Sequence, residues 1–130
     1  MRERERERER DRRGAAQPAF RSGARMPQLG LGTWKAGPGV VAKCVEDALR
    51  AGYRHLDCAC DYGNEDEVGK GIKAAIDAGV CKREDIFVTS KLWNTFHHKE
   101  HVRPACEKTL KDLGLDYVDL YLIHFPISLK

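Results

Sequence analysis

Long apolar runs are missing from this 130-residue chain. No stretch approaches the roughly 20 consecutive apolar residues that a membrane helix needs, so no transmembrane span is expected. No apolar segment follows the basic start, so no secretory signal is expected either. Glu3, Glu5, Glu7 and Glu9 sit in the first ten residues, against the acid-poor composition of transit peptides. A cytoplasmic location is the resulting expectation. Zinc-type C-x-x-C spacing is also absent. Cys44, Cys58, Cys60, Cys81 and Cys106 are an odd number and read as free thiols of a reducing compartment.

A basic stripe on the folded part is missing too. The formal charge is +3, but residues 1–25 hold nine arginines and five acids, a net +4. The remaining residues are nearly neutral, so a nucleic-acid partner is not expected. Residues 1–13 are mostly an Arg/Glu alternation with nothing apolar to bury. On a helix its i,i+4 pairs have like sign and its i,i+3 pairs opposite sign, so helical support partly cancels. Residues 1–19 are read as a disordered low-complexity tail, and residues 20–130 as the folded part. An RNA-binding arm is the sharper alternative for the tail; its interleaved acids oppose it.

The folded part alternates strand-like and helix-like segments. LGLGTW (29–34), YRHLD (53–57), IFVTS (86–90) and YVDLYLI (117–123) are the strand candidates. Pro38 is expected to open a helix, with Val40, Val41, Cys44, Val45, Ala48 and Leu49 recurring at helical spacing and Gly52 at its end. Asn64 with Glu67 three residues on resembles a capping box ahead of the stripe Val68, Ile72, Ala75 and Ile76. A third helix presents Val102, Cys106, Thr109, Leu110 and Leu113, and stops at Gly114. Strand–helix repetition predicts parallel strands joined by crossover helices, an α/β fold. Four strands and three helices, with no helix after the fourth strand, predict the first half of a larger barrel with two unpaired edges.

In such barrels functional groups gather at the C-terminal ends of the strands. Asp57 ends the second strand and Tyr62 follows in the loop. Lys91 ends the third and His124 the fourth. The chemistry of this set is coherent. A phenol is too weak an acid for efficient work near neutrality. A neighbouring ammonium stabilises the phenolate, a carboxylate orients the ammonium, and an imidazole donates to a carbonyl oxygen. The set suits protonation of an oxygen as hydride arrives at carbon. Nucleophilic catalysis is less well served, because no Ser or Cys has an evident base partner. His97 and His101 could share a helix face, but no Glu follows His97, so the metalloprotease motif fails. A solvated helix entrance is the reading there, with no metal.

At these residues the sequence closely resembles the aldo-keto reductase superfamily, particularly its plant aldose-reductase-like members. GYRHLDCACDYGNEDEVG (52–69) is similar to the family's first signature throughout. MPQLGLGTWK (26–35), TSKLW (89–93) and LDYVDLYLIHFP (115–126) match in order and at family-like spacing. The resemblance runs from about Phe20 to Lys130. It implies a (β/α)8 TIM barrel, present here as its N-terminal half, that reduces aldehydes and ketones with NADPH. It implies Tyr62 as general acid, Lys91 as the group that activates it, Asp57 as the partner of Lys91 and His124 as the carbonyl-orienting residue. Gly32, Thr33, Trp34 and Asp57 would lie at the nicotinamide end of the cofactor. Trp34, Trp93 and His124 would wall the pocket for a small carbonyl substrate; barrel-rim packing is the plainer reading of the two tryptophans.

The departures are specific. Barrels of this kind run to about 250 residues, and strands five to eight are not present. In the family those carry the Ser-Asn pair for the nicotinamide amide, the aromatic that stacks on its ring and the basic groups for the 2′-phosphate. NADPH is therefore implied by the family alone. The hairpin at the barrel bottom is expected only in part, around residues 20–26. Family members are usually monomeric, whereas a half-barrel with open edges is expected to self-associate. The alternative function is accordingly a non-catalytic truncated product that associates through those edges.

Overall fold

The computed structural model describes residues 18–130. The Arg/Glu run, and the RNA-binding arm considered for it, lie outside the described residues. Four strands, β1 (Leu31–Gly32), β2 (His55–Asp57), β3 (Phe87–Leu92) and β4 (Leu120–Ile123), form one parallel sheet in the order β1-β2-β3-β4. Three helices, α1 (Val41–Ala51), α2 (Glu65–Asp77) and α3 (Lys99–Leu113), make the crossovers. Among the described residues the sheet is open, with β1 and β4 at its edges.

Apolar spacing decides which side the helices cover. Val41, Val45 and Leu49 recur every four residues on α1 and are buried, whereas Val40, just ahead of the helix, and Cys44, expected with them, are exposed because the buried stripe is narrower than the apolar run. They join Val68, Ile72 and Ala75 of α2, Leu113 of α3, and Leu56 and Val88 from the sheet in one core. Strand alternation then sends the neighbours of Leu56 and Val88 to the opposite face. His55 and Asp57 of β2, and Phe87, Thr89 and Lys91 of β3, share that inner face. His55 bonds the Thr89 hydroxyl at 3.1 Å and meets the Phe87 ring edge-on at 5.3 Å.

The helices approach closely because two residues of α2 lack a side chain. A Cβ at Gly71 would overlap the carbonyl oxygen of Ala42 and stand 2.7 Å from the Val45 Cβ. A Cβ at Gly69 would overlap the carbonyl oxygen of Leu113. The two glycines seat α2 against α1 on one side and α3 on the other.

Several local expectations shift. Gly39 takes φ +81, which is not helical, so α1 begins at Val41 and not at Pro38. Asn64 makes no capping hydrogen bond: its amide donates to the Thr33 carbonyl at 2.8 Å, and Glu67 accepts from the Gly39 N–H at 2.9 Å. Strand β3 runs through Lys91 to Leu92, because Ser90, Lys91 and Leu92 pair with Tyr121, Leu122 and Ile123. Strand β4 starts at Leu120, since Tyr117 and Asp119 serve Arg83 instead. The Arg83 guanidinium lies 3.9 Å over the Tyr117 ring and 2.9 Å from Asp119 Oδ2. The expected hairpin is reduced to one antiparallel bridge, Ala19 to Arg25. No helix among the described residues is long and apolar enough to cross a membrane. All five cysteines are free thiols.

Candidate active site

The C-terminal ends of the strands bring Asp57, Tyr62, Lys91 and His124 to one rim. Each arrives by a different local device. Asp57 ends β2 opposite Gly32 on one side and Thr89 on the other. Tyr62 closes a single 3-10 turn, Cys60–Tyr62, which Gly63 terminates at φ +67. Lys91 projects from within β3, two residues beyond Thr89 on the same face. His124 follows β4, held by its N–H to the Leu92 carbonyl at 3.0 Å.

Lys91 is the hub. Its Nζ donates to Asp57 Oδ1 at 2.6 Å, to the Cys58 carbonyl at 2.7 Å and to the Tyr62 hydroxyl at 3.3 Å. Its side chain is 13% exposed, whereas that of Asp57 is 43% exposed. The ammonium is therefore shielded by its partners while the carboxylate keeps a face open. Across Tyr62, the His124 ring stands edge-on with centroids 5.8 Å apart. Burial, and then the Lys91 charge, push the His124 imidazole below its ordinary range, so the ring is neutral near pH 7. A neutral imidazole has one N–H to give and does not compete as an acid.

Aromatic rings wall the rim. Trp34 is 64% exposed, tilted 30° against Tyr62 with centroids 6.3 Å apart. Lys35 holds φ +62 and sets its ammonium 4.5 Å over the Trp34 ring. Trp93 meets His124 edge-on at 5.4 Å. Phe125 stacks on His124 at 4.7 Å with planes 7° apart. Phe125 was not singled out in the sequence; its place next to His124 in the same motif was the available signal.

The residues expected at the cofactor behave differently from one another. Gly32 is exposed, and a Cβ there would meet nothing within 4 Å. Thr33 is buried; its N–H and hydroxyl both donate to the Asp57 carbonyl at 3.1 Å. Its hydroxyl thus fastens the β1 loop to β2. An open glycine, an exposed indole and the free face of a carboxylate fit a flat ring carrying a hydroxylated sugar. The described residues contain no group of three His, Cys, Asp or Glu side chains able to hold a metal. His97, His98 and His101 form no such group, although the His98 and His101 rings touch edge-on at 5.8 Å.

The sequence pattern of the aldo/keto reductase family matches residues 28–129. The chain belongs to the aldo/keto reductase family. It is 58% identical over 109 residues to the NADPH-dependent aldose reductase GRE3 of Saccharomyces cerevisiae, covering 84% of this chain and 33% of that one. It is 52% identical over 117 residues to aldo-keto reductase family 1 member A1 of Mus musculus, covering 89% and 36%. The aldose reductase from Schistosoma japonicum superposes with a TM-score of 0.85 at 55% identity, over 88% of this chain and 38% of that one. An aldo-keto reductase of Bombyx mori, in complex with NADP, superposes with a TM-score of 0.84 at 46% identity, over 89% and 40%. The four strands and three helices thus correspond to part of an aldo-keto reductase (β/α)8 barrel. The chain spans about a third of the length of the curated relatives it matches.

One buried group at this end of the barrel escaped the sequence reading. Glu65, the first residue of α2, is 3% exposed and lies behind the sheet, accepting from Ser90 and Thr109. Its signal was periodicity. Glu65 stands three residues before Val68 and seven before Ile72, on the apolar stripe of α2.

Proposed function

We propose that these residues supply the proton-donating part of an NADPH-dependent carbonyl reductase, with Tyr62 as general acid. The observation that carries the reading is the Lys91 ammonium, fixed by Asp57 at 2.6 Å and placed 3.3 Å from the Tyr62 hydroxyl. Bound NADPH supplies the hydride. Tyr62 gives its proton to the carbonyl oxygen as charge builds there, Lys91 stabilises the phenolate left behind, and Asp57 holds Lys91 in place. His124 donates its N–H to the same oxygen and orients it. Trp34, Trp93 and Phe125 keep water from the reacting carbonyl.

For the cofactor, Gly32 and Trp34 offer the open surface, Thr33 fixes the loop that carries them, and Asp57 accepts from a ribose hydroxyl. NADPH is supported by the relatives named for it, the yeast enzyme among them. The substrate class is a small aldehyde or ketone, and the compartment the cytoplasm. The reaction is assigned to the complete family enzyme, with weak or no turnover by these 130 residues alone.

The test pairs two proteins. One is the 130-residue chain. The other is a chimera in which this chain replaces the matching third of the yeast relative. NADPH oxidation with a small aldehyde is expected from the chimera and little from the chain alone. An inactive but folded chimera that binds NADPH contradicts the assignment.

One observation favours a second reading, a non-catalytic product that associates through its edges. Leu122, Ile123, Phe125, Ile127 and Leu129, at and beyond the edge strand β4, are all exposed. Light scattering on the 130-residue chain tests it: a stable monomer at high concentration contradicts association.

A further inference from the structure

The distance between Tyr62 and Lys91 is held only weakly by their own contact. At 3.3 Å it is longer than the 2.9–3.0 Å at which such hydrogen bonds cluster. The two side chains also come from different places, a 3-10 turn after β2 and the interior of β3. The turn's own bonds are local: Tyr62 N–H to the Ala59 carbonyl and Gly63 N–H to the Cys60 carbonyl. The chain entering the turn is tied to β3 by the Cys58 N–H on the Thr89 carbonyl at 2.9 Å and by Lys91 Nζ on the Cys58 carbonyl at 2.7 Å; the chain leaving it needs a second tie.

Glu65 is such a tie. It follows Tyr62 by three residues, and its Oε2 accepts from the Ser90 hydroxyl at 2.7 Å. Ser90 is the neighbour of Lys91 in β3, pointing to the opposite face of the sheet. The other oxygen, Oε1, accepts from the Thr109 hydroxyl of α3 at 3.0 Å. Ser90 and Thr109 are fully buried. One carboxyl thus joins the Tyr62 turn, the strand carrying Lys91 and the helix behind them. Burying it is costly, and burial pushes its pKa above the ordinary value. Neither neighbour in the acidic start of α2, Asp66 or Glu67, is buried.

We propose that Glu65 is a positioning residue for the Tyr62–Lys91 pair, its side-chain length setting how far the Tyr62 turn stands from Lys91. The proposal rests on the proton-donor reading above, yet it can fail separately. The role is geometric, so length matters more than charge. Glu65→Gln keeps the length and can still bond both hydroxyls. Glu65→Asp keeps the charge and is one methylene too short to span the gap.

The test is a nuclear Overhauser experiment on the full 130-residue chain, without cofactor or turnover. The cross-peak between the Tyr62 ring and the Lys91 side-chain methylenes reads their separation. The His55–Phe87 ring cross-peak, on the same face of the sheet, reports that the fold is intact. Expected are retention of the Tyr62–Lys91 peak in Glu65→Gln and its loss in Glu65→Asp, with the control peak unchanged in both. Retention in Glu65→Asp, or loss in Glu65→Gln, overturns the proposal. Should Glu65→Asp fail to fold, Ser90→Ala decides: a weakened peak supports the tie, and a full-strength peak refutes it. Because no reaction is measured, inactivity of the chimera would leave this result standing.

Discussion

Lys91 Nζ lies 2.6 Å from Asp57 Oδ1, an ion pair that joins the ends of two adjacent parallel strands. The cation is nearly enclosed, and that same ammonium faces the Tyr62 hydroxyl. Replacing Lys91 by Met removes the charge while retaining much of the side-chain bulk. In the chimera, Lys91→Met is expected to lower kcat by about 100-fold or more, the usual scale for losing acid–base assistance. NADPH affinity, measured by fluorescence quenching, should change far less. An unchanged kcat would remove Lys91 from the reaction.

Glu65 links stability to pH with a definite sign. Burial raises its pKa above the ordinary 4.5, opposed by the hydrogen bonds from Ser90 and Thr109; Asp112 adds to the rise and Lys108 reduces it. Between pH 4.5 and its raised folded-state value the folded chain therefore keeps a proton that the unfolded chain has released. Unfolding releases that proton, so this contribution to stability falls as pH rises through the folded-state pKa. Below 4.5 both states are protonated and the contribution is fully present. Relative to Glu65→Gln, which does not titrate, the wild-type chain should lose ground between about pH 4 and about pH 7. Urea midpoints at the two pH values measure this.

Gly71 sits where α2 meets α1. Alanine is the better helix former by about 1 kcal/mol, so propensity alone predicts stabilisation. The added methyl would overlap the Ala42 carbonyl oxygen and press on Val45. Overpacking of this kind costs about 1–3 kcal/mol. Gly71→Ala is expected to be net destabilising by urea denaturation; a gain in stability would show that the two helices can move apart freely.

Asp119 takes the place of a backbone partner in the sheet. Its Oδ2 accepts from the N–H of Val88, a fully buried residue, at 2.8 Å and from Arg83 at 2.9 Å. Asp119→Ala leaves that N–H without a partner, at a cost of about 1–3 kcal/mol. Hydrogen exchange at the Val88 amide should quicken beyond what the global loss of stability explains.

Much of this architecture is legible in the residues. Helical spacing of the apolar residues located the first helix, with Val41, Val45 and Leu49 buried and Val40 and Cys44 exposed, and the apolar run IFVTS located β3. The strand-end rule brought Asp57, Tyr62, Lys91 and His124 together. What escaped was decided by tertiary contacts. Lys91 reads as a strand end because a charge inside a strand is unusual, yet pairing with Leu122 carries β3 past it. Asn64 has the sequence of a cap, but its amide is taken by Thr33, thirty-one residues away in the chain. β1 shrinks to two residues because, among the described residues, its ladder to β2 holds only Leu31 and Gly32. Glu65 was hidden among three consecutive acids, and only its place on the apolar stripe set it apart.

The central claim, that the Tyr62 hydroxyl gives the proton, is tested most directly by Tyr62→Phe in the chimera. Single-turnover oxidation of NADPH by a small aldehyde should slow by about 100-fold or more, with cofactor binding intact. Undiminished hydride transfer in Tyr62→Phe would contradict the account.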